Sequence, residues 1–101
     1  MATAKMKPSN RLLVEWAVLL RIDGENEEEI AVASSADGEA LIDRIVAAAL
    51  ARDTLEVPLG RYENGKFSTA GRMVLDLGKP TAVRVMLGSR SGAFGAFGIK
   101  K

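Results

Sequence analysis

The chain has 101 residues, of which 48% are hydrophobic and 27% charged, and its formal net charge is +1. This length and composition are typical of one small globular domain and not of a disordered or membrane chain. The absence of cysteine and histidine excludes disulfide bonds and thiolate chemistry, and it removes the commonest general base and transition-metal ligand.

The N-terminal region is predicted to form a flexible arm over residues 1–10, followed by a single domain over residues 11–101. The longest uninterrupted apolar run, Ile45 to Ala51, is far shorter than the roughly 20 residues that a membrane-spanning helix needs. The basic residues before Leu12 could begin a signal peptide, but Glu15 interrupts the apolar stretch and no small-residue cleavage site follows. We therefore expect a cytoplasmic protein without a membrane segment.

The first predicted element is a β-strand over residues 12–23, where six apolar residues alternate with mainly polar ones. A helix capped by Asn10 is the rival interpretation of this stretch. The strict alternation and the β-branched residues favour the strand. Asp23-Gly24 then predicts a turn, and residues 29–34 a second strand, so that the two strands form a hairpin.

A helix is predicted over residues 36–52, with Ser35 as its N-cap and acidic residues in its first turn. Its apolar residues recur at intervals of three and four, which predicts a stripe packed against a sheet. The members of this stripe are Leu41, Ile42, Ile45, Val46, Ala49 and Leu50.

After the helix, apolar residues again alternate with polar ones. Strands are predicted around Leu55 to Leu59, over Arg72 to Leu77 and over Thr81 to Leu87, with a short final strand within Ala93 to Ile99. Asn64-Gly65 is a strong hairpin-turn signal, and residues 66–70 are expected to be a looser return. The predicted fold is α+β, with one helix packed on an antiparallel sheet of five or six strands in the order ββ-α-βββ(β).

Charge is distributed unevenly along the chain, with a net charge of −5 over residues 1–56 and +6 over residues 57–101. The two halves either form different faces or interleave in one sheet, and in the second case the asymmetry largely cancels. Arg72 and Arg84 lie opposite the inward-facing residues of their strands, so they are predicted on the outer sheet face. Together with Arg90 they form a candidate docking surface for a partner.

The C-terminal segment combines three glycines with Phe94 and Phe97 between basic residues. An edge strand or tail that buries one phenylalanine, a nucleic-acid platform and a protein interface are all compatible with this pattern. Aromatic residues three apart face opposite sides of a strand, which disfavours base stacking on one face. A homodimer formed through this C-terminal edge strand is a further possibility.

No catalytic, cofactor or metal site is predicted. The spacing G-x-x-x-x-G-K at residues 60–66 matches a phosphate-binding loop, but Phe67 replaces the hydroxyl residue and a strand pattern follows. The acidic run over residues 25–29 suits a solvated turn, because adjacent side chains on an extended chain point in alternating directions. We therefore expect a protein that is not an enzyme and uses no cofactor or metal.

Several segments resemble immunity proteins of bacterial polymorphic-toxin systems. The matching residues are Ser35, Asp37, Leu41-Ile42-Asp43-Arg44, Met73 to Leu77 and Phe94 to Gly98. The resemblance implies a small α+β inhibitor that blocks a toxin by occlusion, although its acidic character is not matched by the basic C-terminal half. The leading hypothesis is a protein-binding module, and the alternative is a nucleic-acid-binding module that uses the same basic residues.

Overall fold

The computed structural model describes residues 14–91 and 98–99. The elements in chain order are β1 (Val14–Ile22), β2 (Glu28–Val32), α1 (Ser35–Ala51), β3 (Thr54–Glu63), β4 (Lys66–Asp76), β5 (Val83–Ser91) and β6 (Gly98–Ile99). The predicted α+β fold is confirmed, and β1 is a strand, not a helix. The predicted arm over residues 1–10 and most of the predicted final strand lie outside the described residues.

All strand pairs are antiparallel, and the sheet order is β4-β3-β2-β1-β5-β6. Two hairpins close through Asp23-Gly24 and Asn64-Gly65, whose positive φ angles (52° and 78°, 53° and 77°) are those of type I′ turns. The looser return predicted over residues 66–70 is wrong, because β4 runs without a break from Lys66 to Asp76. It pairs along β3, with one register shift between Pro58 and Gly60.

The N-cap of α1 is Ser34, one residue before the Ser35 predicted from the sequence. Ser34 has extended backbone angles, and its Oγ accepts a hydrogen bond from the Asp37 N–H at 3.1 Å. Ser35 already belongs to the first turn of the helix. Both residues carry a hydroxyl, so the backbone conformation decides which of them caps the helix.

One face of the sheet packs against α1, and Leu41 and Ile45 of this helix are buried in the core. The buried residues of this core are Val18, Leu20, Ile30, Val32, Leu41, Ile45, Val57, Leu75 and Leu77. The predicted helix stripe is narrower than expected, since Val46 and Leu50 are 42% and 82% exposed. Within the described residues, no helix is long and apolar enough to cross a membrane.

The opposite face of the sheet is also buried at its centre. Ala17 and Leu19 of β1 are 0% and 3% exposed, and both point away from α1. Ala17 is aligned with Gly88 on β5 and with Ala31 on β2, so small residues follow one another across the middle of this face. The outer face is therefore not an open polar surface at its centre.

The two parts of the sheet meet between β2 and β3, where one residue pair, Ala31 with Gly60, is in register. A Cβ at position 60 would collide with the Phe67 ring and lie 3.2 Å from the Ala31 carbonyl oxygen, so glycine permits this close approach. The Tyr62 hydroxyl strengthens the junction: it donates to the Val32 carbonyl and accepts the Trp16 N–H at 3.2 Å.

Replacing Tyr62 with phenylalanine should destabilise this junction while keeping the ring contact with Phe67. Loss of one half-buried hydroxyl with two backbone partners should lower the free energy of unfolding by about 1–2 kcal/mol. Urea denaturation measures this change, and Ser68→Ala, which removes an exposed hydroxyl from the same hairpin, is the control. Equal stability of the two variants would contradict the role assigned to the Tyr62 hydroxyl.

Candidate partner-binding surface

The structure places Arg72 and Arg84 on the same face of the sheet, as predicted from the alternation, but far apart. Arg72 belongs to β4 and Arg84 to β5, and three strands lie between them. With strands about 4.8 Å apart, this separates the two positions by about 19 Å across the sheet. The buried centre of the face lies between them, so they do not form one continuous patch.

Two of the predicted binding residues already form ion pairs within the chain. The Arg72 Nη1 lies 3.2 Å from the Glu56 Oε2, and both side chains are exposed. The Arg90 Nε donates to the Glu15 Oε1 at 2.7 Å, and the Glu15 side chain is only 10% exposed. Moving Arg90 away to bind a partner would leave the buried Glu15 carboxylate without its cation, which costs free energy. Arg90 therefore stabilises the pairing of β1 with β5. Phe94 and Phe97 lie outside the described residues.

Arg84 is accompanied by a residue that the sequence prediction did not include. Arg21 on β1 is aligned directly with Arg84 on β5, so two exposed guanidinium groups lie side by side on the same face. Neither forms an ion pair with another described residue. The alternation in β1 placed Arg21 on its outer face, but only the strand register brings it next to Arg84.

Asp23 lies in the same shallow depression as the two arginines. Its Oδ1 accepts hydrogen bonds from the Thr81 N–H at 2.7 Å, the Thr81 hydroxyl at 2.6 Å and the Ala82 N–H at 2.7 Å. The Thr81 hydroxyl and then the Ala82 N–H lower the pKa of this carboxyl, because they favour its charged form. Asp23 therefore connects the β1–β2 turn to the residues that directly precede β5.

Part of β5 is an unpaired strand edge within the described residues. β1 pairs along the whole of β5, whereas β6 covers only Gly88 and Ser89 on its other side. The segment Val83 to Leu87 consequently presents backbone groups without a strand partner among residues 14–91 and 98–99. At the other end of the sheet, β4 carries Lys66, Arg72 and a positive φ of 122° at Gly71 beside the register shift with β3, features that discourage strand addition.

The exposed flank of α1 lies next to this free edge. Val46, Ala49 and Leu50 line a groove together with Pro80 and Val83 at the start of β5. Val46 and Leu50 are one helical turn apart, so they form a continuous apolar strip on the flank of the helix. We call the free edge of Val83 to Leu87, this helix strip and the pair Arg21 and Arg84 the β5 edge surface.

A second cleft lies between α1 and the junction of β2 with β3, lined by Ala33, Leu41, Pro58 and Phe67. Its basic residue, Arg44, donates to the Glu56 carbonyl at 3.2 Å and so connects the helix to β3. Among the described residues, no group of three or more histidine, cysteine, aspartate or glutamate side chains could hold a metal ion.

Comparison with known proteins gives no relative from which a function could be transferred. No protein-family model matches the chain. No curated protein and no solved structure matches it either.

The hydrogen bonds of Asp23 predict a pH dependence of stability. The folded-state pKa is below the ordinary value of 3.8, so the stabilisation by the ionised carboxylate is complete above that value. It is lost as the pH falls through the lower folded-state pKa, because the proton must then be added to the bonded oxygen. The melting temperature of Asp23→Asn should lie below that of the natural chain at pH 6, with the gap narrowing below about pH 4. A gap that is constant from pH 6 to pH 2 would contradict this assignment.

Proposed function

We propose that this chain is a non-enzymatic protein-binding module that holds an extended segment of a partner protein as an added strand along β5. The observation that carries the proposal is that the edge of Val83 to Leu87, which has no strand partner among the described residues, lies beside the exposed apolar strip of Val46 and Leu50. Either feature alone would be an ordinary surface irregularity. Side by side, they offer backbone hydrogen bonds and apolar burial to the same ligand.

Strand addition explains how so small a surface could bind a protein. The partner's backbone would pair with the edge of β5, and its alternate side chains would face α1. Leu50 is the largest exposed apolar side chain there, and burying such a side chain contributes roughly 1.5–3 kcal/mol. The main-chain bonds provide affinity that is largely independent of sequence, while the helix strip selects for apolar residues at alternate positions.

The resemblance to immunity proteins suggests that such binding inhibits a toxin by occlusion. A loop drawn out of a toxin and held as a strand along β5 would be unable to complete the toxin's active site. On this proposal the toxin would contact the β5 edge surface, which includes Arg84 of the predicted docking residues but not Arg72.

The distribution of charge disfavours nucleic acid as the ligand. Arg61, Arg72 and Arg90 each have a carboxylate neighbour, Glu63 at 3.7 Å, Glu56 at 3.2 Å and Glu15 at 2.7 Å respectively. Phosphate binding relies on a run of cations that can replace condensed counterions. Within the described residues, Arg21 and Arg84 form a basic pair and not a stripe along the sheet.

Selection of random ten-residue peptides displayed on phage against the full chain tests the proposal. Selected peptides should alternate apolar and polar residues, and in NMR spectra they should shift the amide signals of Val83 to Leu87. Leu50→Glu should weaken their binding at least tenfold, because it places a charge in the apolar contact. Ala47→Glu, on an exposed position of α1 that does not line the groove, should change it less than twofold.

Three results would overturn the proposal. The first is the selection of no peptide, or of peptides that bind away from β5. The second is a stable dimer that Leu50→Glu dissociates, since this would assign the surface to a second copy of the chain. The third is tight binding of a single-stranded oligonucleotide at low salt that is lost at high salt.

A further inference from the structure

We propose that the partner segment carries a carboxylate that is recognised by Arg21 and Arg84. This inference depends on the proposed strand addition and specifies the chemistry of the ligand. Arg21 and Arg84 are cross-strand neighbours on β1 and β5, and both side chains point to the face opposite α1. A strand added to β5 would place one residue beside Arg84 on that face, as the third member of the row.

Arg90, the other arginine of β5, has an acidic residue directly opposite it on β1, whereas Arg84 does not. Arg90 is aligned directly with Glu15 of β1, and the two form a charge-assisted hydrogen bond of 2.7 Å. Arg84 stands in the equivalent relation to β1, but its aligned residue is Arg21. Like charges placed directly opposite each other destabilise a sheet. On its other side, the edge of β5, Arg84 has no strand neighbour in the described part of the chain, so a carboxylate can approach there.

Local charges leave this site positive. Asp23 is the acidic residue lining the depression, and its Oδ1 is occupied by three donors from Thr81 and Ala82. The residues that line the depression thus carry two guanidinium groups and one carboxylate, while Glu29 of β2, aligned with Leu19, lies beyond Arg21 on the same face. A carboxylate that enters between the free edge and Arg84 would relieve the repulsion between the two arginines and gain a fork of N–H donors.

The residues on either side of Arg84 define the rest of the recognised pattern. Val83 and Val85 pack against the core on the α1 face, and Val83 also lines the groove that contains Val46 and Leu50. An added strand would therefore present an apolar residue, then an acidic residue, then an apolar residue along Val85, Arg84 and Val83. The acidic residue faces away from α1, and its two neighbours face the helix.

Three synthetic ten-residue peptides of alternating valine and threonine provide the test. They are identical except that one central threonine is replaced by glutamate, glutamine or lysine, and each is titrated into the full chain. At low salt the glutamate peptide should bind about tenfold more tightly than the glutamine peptide, and the lysine peptide should bind most weakly of the three. High salt should reduce these differences, because it screens the charges. In Arg84→Gln and Arg21→Gln the preference for glutamate should fall to about twofold or less.

Arg61→Gln is the matched control, because Arg61 is an exposed arginine on the β3–β4 hairpin, away from β5. This substitution should leave the preference for glutamate unchanged. Equal binding of all three peptides at Val83 to Leu87 would overturn the carboxylate inference and leave strand addition intact. Binding of none of them would overturn strand addition itself. A glutamate preference that persists in Arg84→Gln would also overturn the inference, since the acid would then be recognised elsewhere.

Discussion

The fold depends on the contact between β2 and β3, because this is where two strand groups become one sheet. A single residue pair, Ala31 with Gly60, is in register there. The Tyr62 hydroxyl and the side chains of α1 supply the rest of the connection, with Leu41 and Ile45 packed against residues from both groups. A two-stranded hairpin such as β3–β4 is marginally stable alone in water, so its order comes from this junction and from the helix above it.

The helix packs most extensively against β5 and β1 and less extensively against β3 and β2. One helix cannot cover six strands, and on the flank of α1 next to β5 Val46 and Leu50 are 42% and 82% exposed. The short β6 pairs with two residues of β5, and no other strand among residues 14–91 and 98–99 covers Val83 to Leu87 on that side. The unpaired segment of β5 and the exposed apolar strip on α1 together form a surface to which another strand can be added.

The charge asymmetry of the sequence does not persist in space. The acidic half contributes β1 and β2, and the basic half contributes β5, which lies directly against β1. Cross-strand pairs such as Glu15 with Arg90 therefore neutralise charge locally, as one of the two alternatives considered from the sequence requires. Arg21 and Arg84 are the exception, since residues of like charge are aligned there. That exception, and not the overall balance, carries the inference about an acidic ligand.

The local pattern of side chains was enough to predict the type and order of the elements, apart from the first residues of β4. Alternating side chains predict strands, a three-to-four spacing predicts the helix, and Asp-Gly and Asn-Gly predict the turns, because each depends on interactions between residues close in the chain. Tertiary structure alone decided the strand order and the register, and with them the alignment of Arg21 with Arg84 and of Glu15 with Arg90. It also decided that Leu50 is exposed although it fits the apolar stripe. Local periodicity specifies which way a side chain points, whereas its neighbour is set by packing between segments that are distant in the chain.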